Sequence, residues 1–138
     1  MDKNENLNLK EIFALAVKNQ QKNNLKVAQD LYNKVLKVVP NHLGSLNNLG
    51  SMFKNIGENQ KAKDCFEKVI EIDPNFPDAH NNLGSTFVQL VDYQKAKICY
   101  EKAIKIDSDF APAQNNLGVL FQNLNKNKEA IKYFEKAI

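Results

Sequence analysis

The 138 residues suffice for one domain, and 43% hydrophobic with 25% charged residues is the balance of an ordinary globular chain. No run approaches the roughly 18 consecutive apolar residues of a membrane span, and the opening MDKNENLNLKE lacks the apolar core of a secretion signal. The net charge of +3 is too small to argue for nucleic acid, and all 19 basic residues are lysine, so no guanidinium fork can grip phosphate or carboxylate bidentately.

Met1 to Asn6 is polar and expected to fray, and residues 1–8 are read as a flexible N-terminus. From Leu9 onward the chain repeats. A divergent copy runs from Leu9 to Val39 and ends in Pro40. HLGSLNNLGSMFKNIGENQKAKDCFEKVIEIDP follows from His42, FPDAHNNLGSTFVQLVDYQKAKICYEKAIKIDS from Phe76, and FAPAQNNLGVLFQNLNKNKEAIKYFEKAI from Phe110, at one constant interval without insertion. The same NNLG opens at Asn47, Asn81 and Asn115. Such self-similarity is the mark of a repeat architecture.

Each copy predicts two helices. In the second, Leu46, Leu49, Met52, Phe53 and Ile56 recur at helical spacing until Gly57 breaks the pattern. Ala62, Phe66, Val69, Ile70 and Ile72 form a second amphipathic stretch, closed by Asp73-Pro74, because proline cannot continue a helix. Pro77 and Pro112 fall in first-turn positions, where a missing N–H is tolerated. The fold class is therefore all-α, with units 9–42, 43–76, 77–110 and 111–138, the last truncated within its second helix. A lone helix pair cannot bury its apolar face, so neighbours must stack. No polar capping helix follows Ile138, so the chain is expected to belong to a longer protein or to stack on another molecule.

Counted from Leu9, Leu43, Pro77 and Ala111, the seventh residue is Leu15, Leu49, Leu83 and Leu117, and the eighth is Ala16, Gly50, Gly84 and Gly118. The eleventh is Phe53, Phe87 and Phe121, but Asn19 in the first copy. The twentieth is Ala28, Ala62, Ala96 and Ala130, and the twenty-fourth Tyr32, Phe66, Tyr100 and Phe134. This pattern, and its interval, closely resemble the tetratricopeptide repeat. It departs at the fourth position, where Ile12, Leu46, His80 and Gln114 replace the usual Trp, and at Ser108, where a closing proline is usual. The resemblance implies a right-handed α-solenoid of antiparallel helix pairs, about four in number. Small residues would let paired helices approach, with Gly50 facing Ala62, Gly84 facing Ala96 and Gly118 facing Ala130.

Chemistry-bearing residues are sparse. Cys65 and Cys99 occupy equivalent positions in successive repeats, roughly 10 Å or more apart, beyond the Cα separation of about 7 Å that a disulfide tolerates. They read as reduced packing thiols, which places the protein in the cytoplasm. His42 and His80 share no metal-ligand spacing and accompany no nucleophile. Asp73, Asp107 and Asp109 stand at helix ends and turns, where short acids cap backbone N–H groups. No catalytic residue, metal site or cofactor is expected, so the chain does not read as an enzyme. Lys61, Lys63, Lys95, Lys97, Lys102 and Lys105 fall on second helices, the convex, solvated side in the family.

The resemblance places a ligand groove along the first helices. Its positions correspond to Asn47, Asn48, Ser51, Lys54 and Asn55; to Asp78, Asn81, Asn82, Ser85, Val88 and Gln89; and to Asn115, Asn116, Val119, Gln122 and Asn123. The first copy supplies Lys10, Phe13, Ala14, Val17, Gln20 and Gln21. The two-carboxylate clamp of chaperone adaptors is absent, since its basic positions hold Phe13, Asp78 and Asn82. Asn48, Asn82 and Asn116 instead resemble the asparagine ladder of bacterial O-GlcNAc-transferase-type repeats, which holds peptide backbone. A side-chain amide offers donor and acceptor together, and a repeat of about 10 Å matches three extended residues at about 3.3 Å each. Ala14 leaves the row three rungs long.

The function expected is a protein-interaction scaffold that binds an extended peptide or partner protein, without nucleic acid or membrane. Two alternatives stay open: the substrate-recruiting arm of a larger glycosyl- or sulfotransferase, and an end-to-end self-assembly module. Phe134, Ala137 and Ile138 have no following helix to cover them, so weak self-association through that end is expected.

Overall fold

The computed structural model describes residues 7–124, 131, 132 and 135–137. The expected contacts of Ala130, Phe134 and Ile138, and the fraying of Met1 to Asn6, lie outside the described residues. Among those described there is no strand, and the unbroken helices are α1 (Leu9–Gln21), α2 (Leu25–Val38), α3 (Leu43–Asn55), α4 (Asn59–Ile72), α5 (Pro77–Gln89), α6 (Tyr93–Ile106) and α7 (Ala111–Asn123). Residues 131, 132 and 135–137 are also helical. First helices begin at Leu9, Leu43, Pro77 and Ala111, the register read from the sequence period. The chain divides into two compact units, Met1–Ile72 and Asp73–Ile138.

In the first unit α1 packs on α2 and α3 on α4, while α3 also meets α2 and α1. Its core joins Ile12, Ala16, Ala28, Leu31, Tyr32, Val35, Leu49 and Met52, with Phe13, Phe53 and Cys65 against it. Leu7 also packs there, and Asn8 caps α1 through a reciprocal box with Glu11, its Oδ1 accepting from Glu11 N at 2.9 Å. The segment 1–8 is thus anchored at its last two residues. His42 caps α3: its Nδ1 accepts from Ser45 N at 3.1 Å, and its ring meets Phe13 edge-on at 4.9 Å.

In the second unit α5 packs on α6, and α7 on both. Leu83, Phe87, Ala96, Tyr100, Ala103, Leu117 and Phe121 are buried. The fourth-position residues do a common job here. His80 Nε2 donates to Pro74 O at 2.8 Å, and Gln114 Nε2 donates to Ser108 O at 3.2 Å. Each polar side chain thereby satisfies the carbonyl of the turn that precedes its helix. Asp73 and Asp107 accept from the N–H groups of Asn75 and Asp109, at 3.1 Å each. Asp109 supplies the N–H in the second of these turns, not the carboxylate.

The expected facing of glycine and alanine is corrected. A Cβ on Gly50 would lie 2.6 Å from the Phe66 ring, and one on Gly84 would lie 2.7 Å from the Tyr100 ring. The eighth position thus makes room for the twenty-fourth-position aromatic, one turn beyond the alanine. In the first repeat Ala16 fills that position with Tyr32 still fully buried, so a single methyl can be accommodated by a small ring shift. A branched side chain cannot. Gly50→Val is expected to cost roughly 1–3 kcal/mol by overpacking, and Gly50→Ala markedly less, as read from urea melts followed by circular dichroism.

Helices α1, α3 and α5 close in the same way. Asn23, Gly57 and Val91 take positive φ of 64°, 81° and 60°. Their N–H groups donate to Gln20 O, Lys54 O and Val88 O, and the N–H of the following residue donates to Asn19 O, Phe53 O and Phe87 O. This pair of bonds is a Schellman closure, which favours glycine or asparagine at the left-handed residue. Val91 is β-branched and 67% exposed, so it bears the strain without a packing return. Val91→Asn, which copies Asn23, is expected to stabilise the chain by about 1 kcal/mol, seen as a raised Tm.

Candidate peptide-binding groove

The polar residues expected in the groove fall on first helices: Asn47, Asn48, Ser51 and Asn55 on α3, Asp78, Asn81, Asn82, Ser85 and Gln89 on α5, and Asn115, Asn116 and Gln122 on α7. Asn47, Asn48, Ser51, Asn81, Asn82, Ser85 and Asn116 are half-buried, whereas Asn55, Asp78, Gln89, Asn115 and Gln122 are exposed. Helical geometry puts the fifth, sixth and ninth positions toward the crease and the second and thirteenth on its rim.

Each unit has a cavity at this crease. In the first, about 490 Å³ is lined by Asn48 and Asn55 with Gln20, Gln21, Val17 and Met52, among others. In the second, about 160 Å³ is lined by Ser85 and Asn116 with Val88, Val119 and Tyr100, among others. Both cavities lie between the ninth and twelfth positions of one first helix and the sixth, tenth and thirteenth of the next. Asn116 Nδ2 donates to Asn81 Oδ1 at 2.9 Å, so the third rung is braced by the fifth-position amide of the preceding repeat. Ser51, Asp78, Gln89, Asn115 and Gln122 line neither of these two cavities, nor do Asn47, Asn81 and Asn82.

Two side chains near the crease escape the sequence pattern. Tyr32 and Tyr100 belong to second helices, yet their hydroxyls reach the crease. Tyr32 Oη donates to Gln20 Oε1 at 2.5 Å, with the Asn48 side chain also acting on it. Burial raises the Tyr32 pKa, and the Asn48 amide pulls it partly back. Tyr100 lines the second cavity, and burial lifts its hydroxyl to about 12 against the opposing bond with Ser85. The signal available in the sequence is tyrosine in place of phenylalanine at the twenty-fourth position of the first and third copies. Lys54, the basic groove residue on α3, has its pKa lowered by burial.

Elsewhere the titratable groups have structural roles. Burial, helped by the adjacent Asp64 carboxylate, pushes the Cys65 thiol up to about 11, so it stays protonated and unreactive near neutrality; Cys65 and Cys99 are both free thiols. The lysines of the second helices are less bare than solvated side chains would be. Lys63 pairs with Glu67 at 3.6 Å and Lys97 with Glu101 at 3.8 Å, while Lys61, Lys95 and Lys97 each lie 5.6 Å from the ring centroids of Phe53, Phe87 and Phe121. Among the described residues no group of three or more His, Cys, Asp or Glu comes together as metal ligands, and no helix is long and apolar enough to cross a membrane.

The raised values carry a pH dependence of definite sign. The unfolded chain releases the Cys65 and Tyr100 protons at the ordinary 9.0 and 10.0, whereas the folded chain holds them to about 11 and about 12. Their stabilising contribution is complete below about pH 9 and is lost as pH rises through 11 and 12. Urea midpoints are expected to fall steadily from about pH 9 upward, and Tyr100→Phe should flatten the upper part of that decline.

Helix pairs of constant period, the first three closed by one turn type, with amides along their first helices, define a repeat scaffold of the kind that binds proteins. The tetratricopeptide-repeat model matches residues 45–76, 77–110 and 111–138, more than half of the chain, and the chain belongs to that family. Among solved structures it is similar to MamA 41-end from Desulfovibrio magneticus RS-1, at TM-score 0.85 and 21% identity over 96% of this chain and 75% of that one. A thermophilic TPR protein of Thermus thermophilus gives TM-score 0.83 at 16% identity, over 94% of this chain and 73% of that one. At these identities the likeness is one of fold. No curated protein matches the sequence.

Proposed function

We propose that the protein is a scaffold that holds an extended polypeptide segment along its first helices, using side-chain amides to engage backbone. The observation that carries this is the recurrence of the crease cavity. Asn48 in one unit and Asn116 in the other occupy the same sixth position and line equivalent cavities. A solvated helix face in an asparagine-rich chain would not require either to sit in a concave site. An amide can pair with both N–H and C=O of one extended residue without reading its side chain. The bracing of Asn116 by Asn81 supports the reading, because it fixes the rung's orientation while leaving Oδ1 able to accept.

Neutral hydrogen bonds net only about 0.5–1.5 kcal/mol each, so three rungs give micromolar or weaker binding, with side-chain contacts supplying specificity. The test begins with peptides selected from a random extended-peptide library against the full chain. The triple variant Asn48/Asn82/Asn116→Ala is expected to lose roughly tenfold or more in affinity for them. Replacing the outer lysines Lys102 and Lys105 by Gln should change it by less than about twofold. Equal retention of affinity by the triple variant, with helix content unchanged, would leave the amides as surface only.

A further inference from the structure

The cavity of the first unit has a fixed polarity. Tyr32 Oη gives its only proton to Gln20 Oε1 at 2.5 Å, so that oxygen is engaged and Gln20 Nε2 keeps N–H donors for the cavity that Gln20 lines. Asn48 lines the same cavity, and its side-chain amide acts on the same hydroxyl, pulling the Tyr32 pKa partly back. Having donated its proton, the hydroxyl has only lone pairs left, so it favours the NH₂ side of the Asn48 amide toward itself. Asn48 Oδ1 then remains to accept from whatever enters. One wall therefore shows a donor and another an acceptor, both set by a hydroxyl that is buried behind them.

Every residue lining this cavity is uncharged, and Val17, Leu25, Met52 and Ile56 add apolar surface beside the amides. At about 490 Å³ it has the volume of a small ligand site, far more than one rung of backbone needs. We propose that it is a subsite for a primary carboxamide side chain, glutamine or asparagine, of the bound segment. The ligand's C=O accepts from Gln20 Nε2, its NH₂ donates to Asn48 Oδ1, and its methylenes lie on Val17 and Met52. A carboxylate in the same place would set an anion against Asn48 Oδ1. An ammonium would face the Gln20 N–H donors. An aliphatic side chain would offer nothing to Gln20 Nε2 or to Asn48 Oδ1 in a half-buried site. The cavity of the second unit lacks the arrangement, since Tyr100 there engages Ser85 and the volume is about 160 Å³.

The assignment rests on the groove reading and is tested apart from it. The ¹⁵N-labelled full chain is titrated with N-acetylglutamine methylamide, with the corresponding glutamate methylamide, with N-acetylnorleucine methylamide, and with N-acetylalanine methylamide as a backbone-only probe, so that the glutamine side chain is the one primary carboxamide among them. The glutamine compound is expected to shift the Gln20 and Asn48 side-chain NH₂ resonances saturably, and the other three to bind roughly tenfold more weakly or less. Tyr32→Phe should weaken the glutamine compound severalfold with helix content unchanged, because Phe66 shows that a ring without hydroxyl packs at this position. Should that variant fold poorly, Gln20→Glu keeps an acceptor for Tyr32 but removes the donor, and should abolish the preference. Equal response to all four probes, no saturable shift with the glutamine compound, or an unchanged preference in Gln20→Glu would overturn the subsite. The groove reading falls only if the triple asparagine variant keeps its affinity for the selected peptides, so the two fail separately.

Discussion

The structure depends on one close approach. In the second and third helix pairs, an aromatic ring from the second helix lies where a side chain on the first would otherwise be, above Gly50 for Phe66 and above Gly84 for Tyr100. Burying such a ring completely is among the larger apolar contributions a small repeat can make. The missing Cβ sets how near the two helices come, and with it the direction in which the first helix presents its remaining faces. Because the ring points toward the first helix, a hydroxyl added to it emerges at the crease. Tyr32 and Tyr100 thereby connect the packing of a pair to the chemistry of the groove. A single substitution between phenylalanine and tyrosine changes what the crease displays without changing how the helices pack.

The second constraint is the constancy of the turn. Helices α1, α3, α5 and α7 are of one length, as are α2, α4 and α6, and α1, α3 and α5 share the same two-bond closure. Every groove position therefore keeps its place within its own helix pair. That is why Asn48 and Asn116, two repeats apart, line equivalent cavities. The closure is kept even where the residue is poorly suited to it, as at Val91. Its two hydrogen bonds and the packing of the following helix outweigh a conformation that costs a β-branched residue on the order of 1–2 kcal/mol.

Much of the fold is legible because a constant repeat interval, glycine at Gly57 and the prolines at Pro74, Pro77 and Pro112 mark helix ends through backbone sterics alone. Those are local effects, and a sequence displays local effects directly. The partner of Gly50 is not legible in the same way. Small residues at the eighth and twentieth positions invite a pairing, whereas side chains on a helix lean toward its N-terminus and carry the ring one turn along. The roles of His80 and Gln114 are hidden for a related reason: their acceptors are turn carbonyls, which have no signature in the sequence. The amide-rich face of the groove is visible from the repeat positions. The two cavities of different size are not, since Tyr32 and Tyr100 contribute from the opposite helix.

The central claim is that first helices carry the ligand and second helices carry the fold. Hydrogen exchange measured by mass spectrometry, with and without a selected extended peptide, tests it most directly. The account predicts that added protection concentrates in α1, α3, α5 and α7, greatest around Asn48 and Asn116, with α2, α4 and α6 little changed. Protection concentrated in α2, α4 and α6 instead, on the faces that carry Lys63, Lys97 and Lys102, would contradict it.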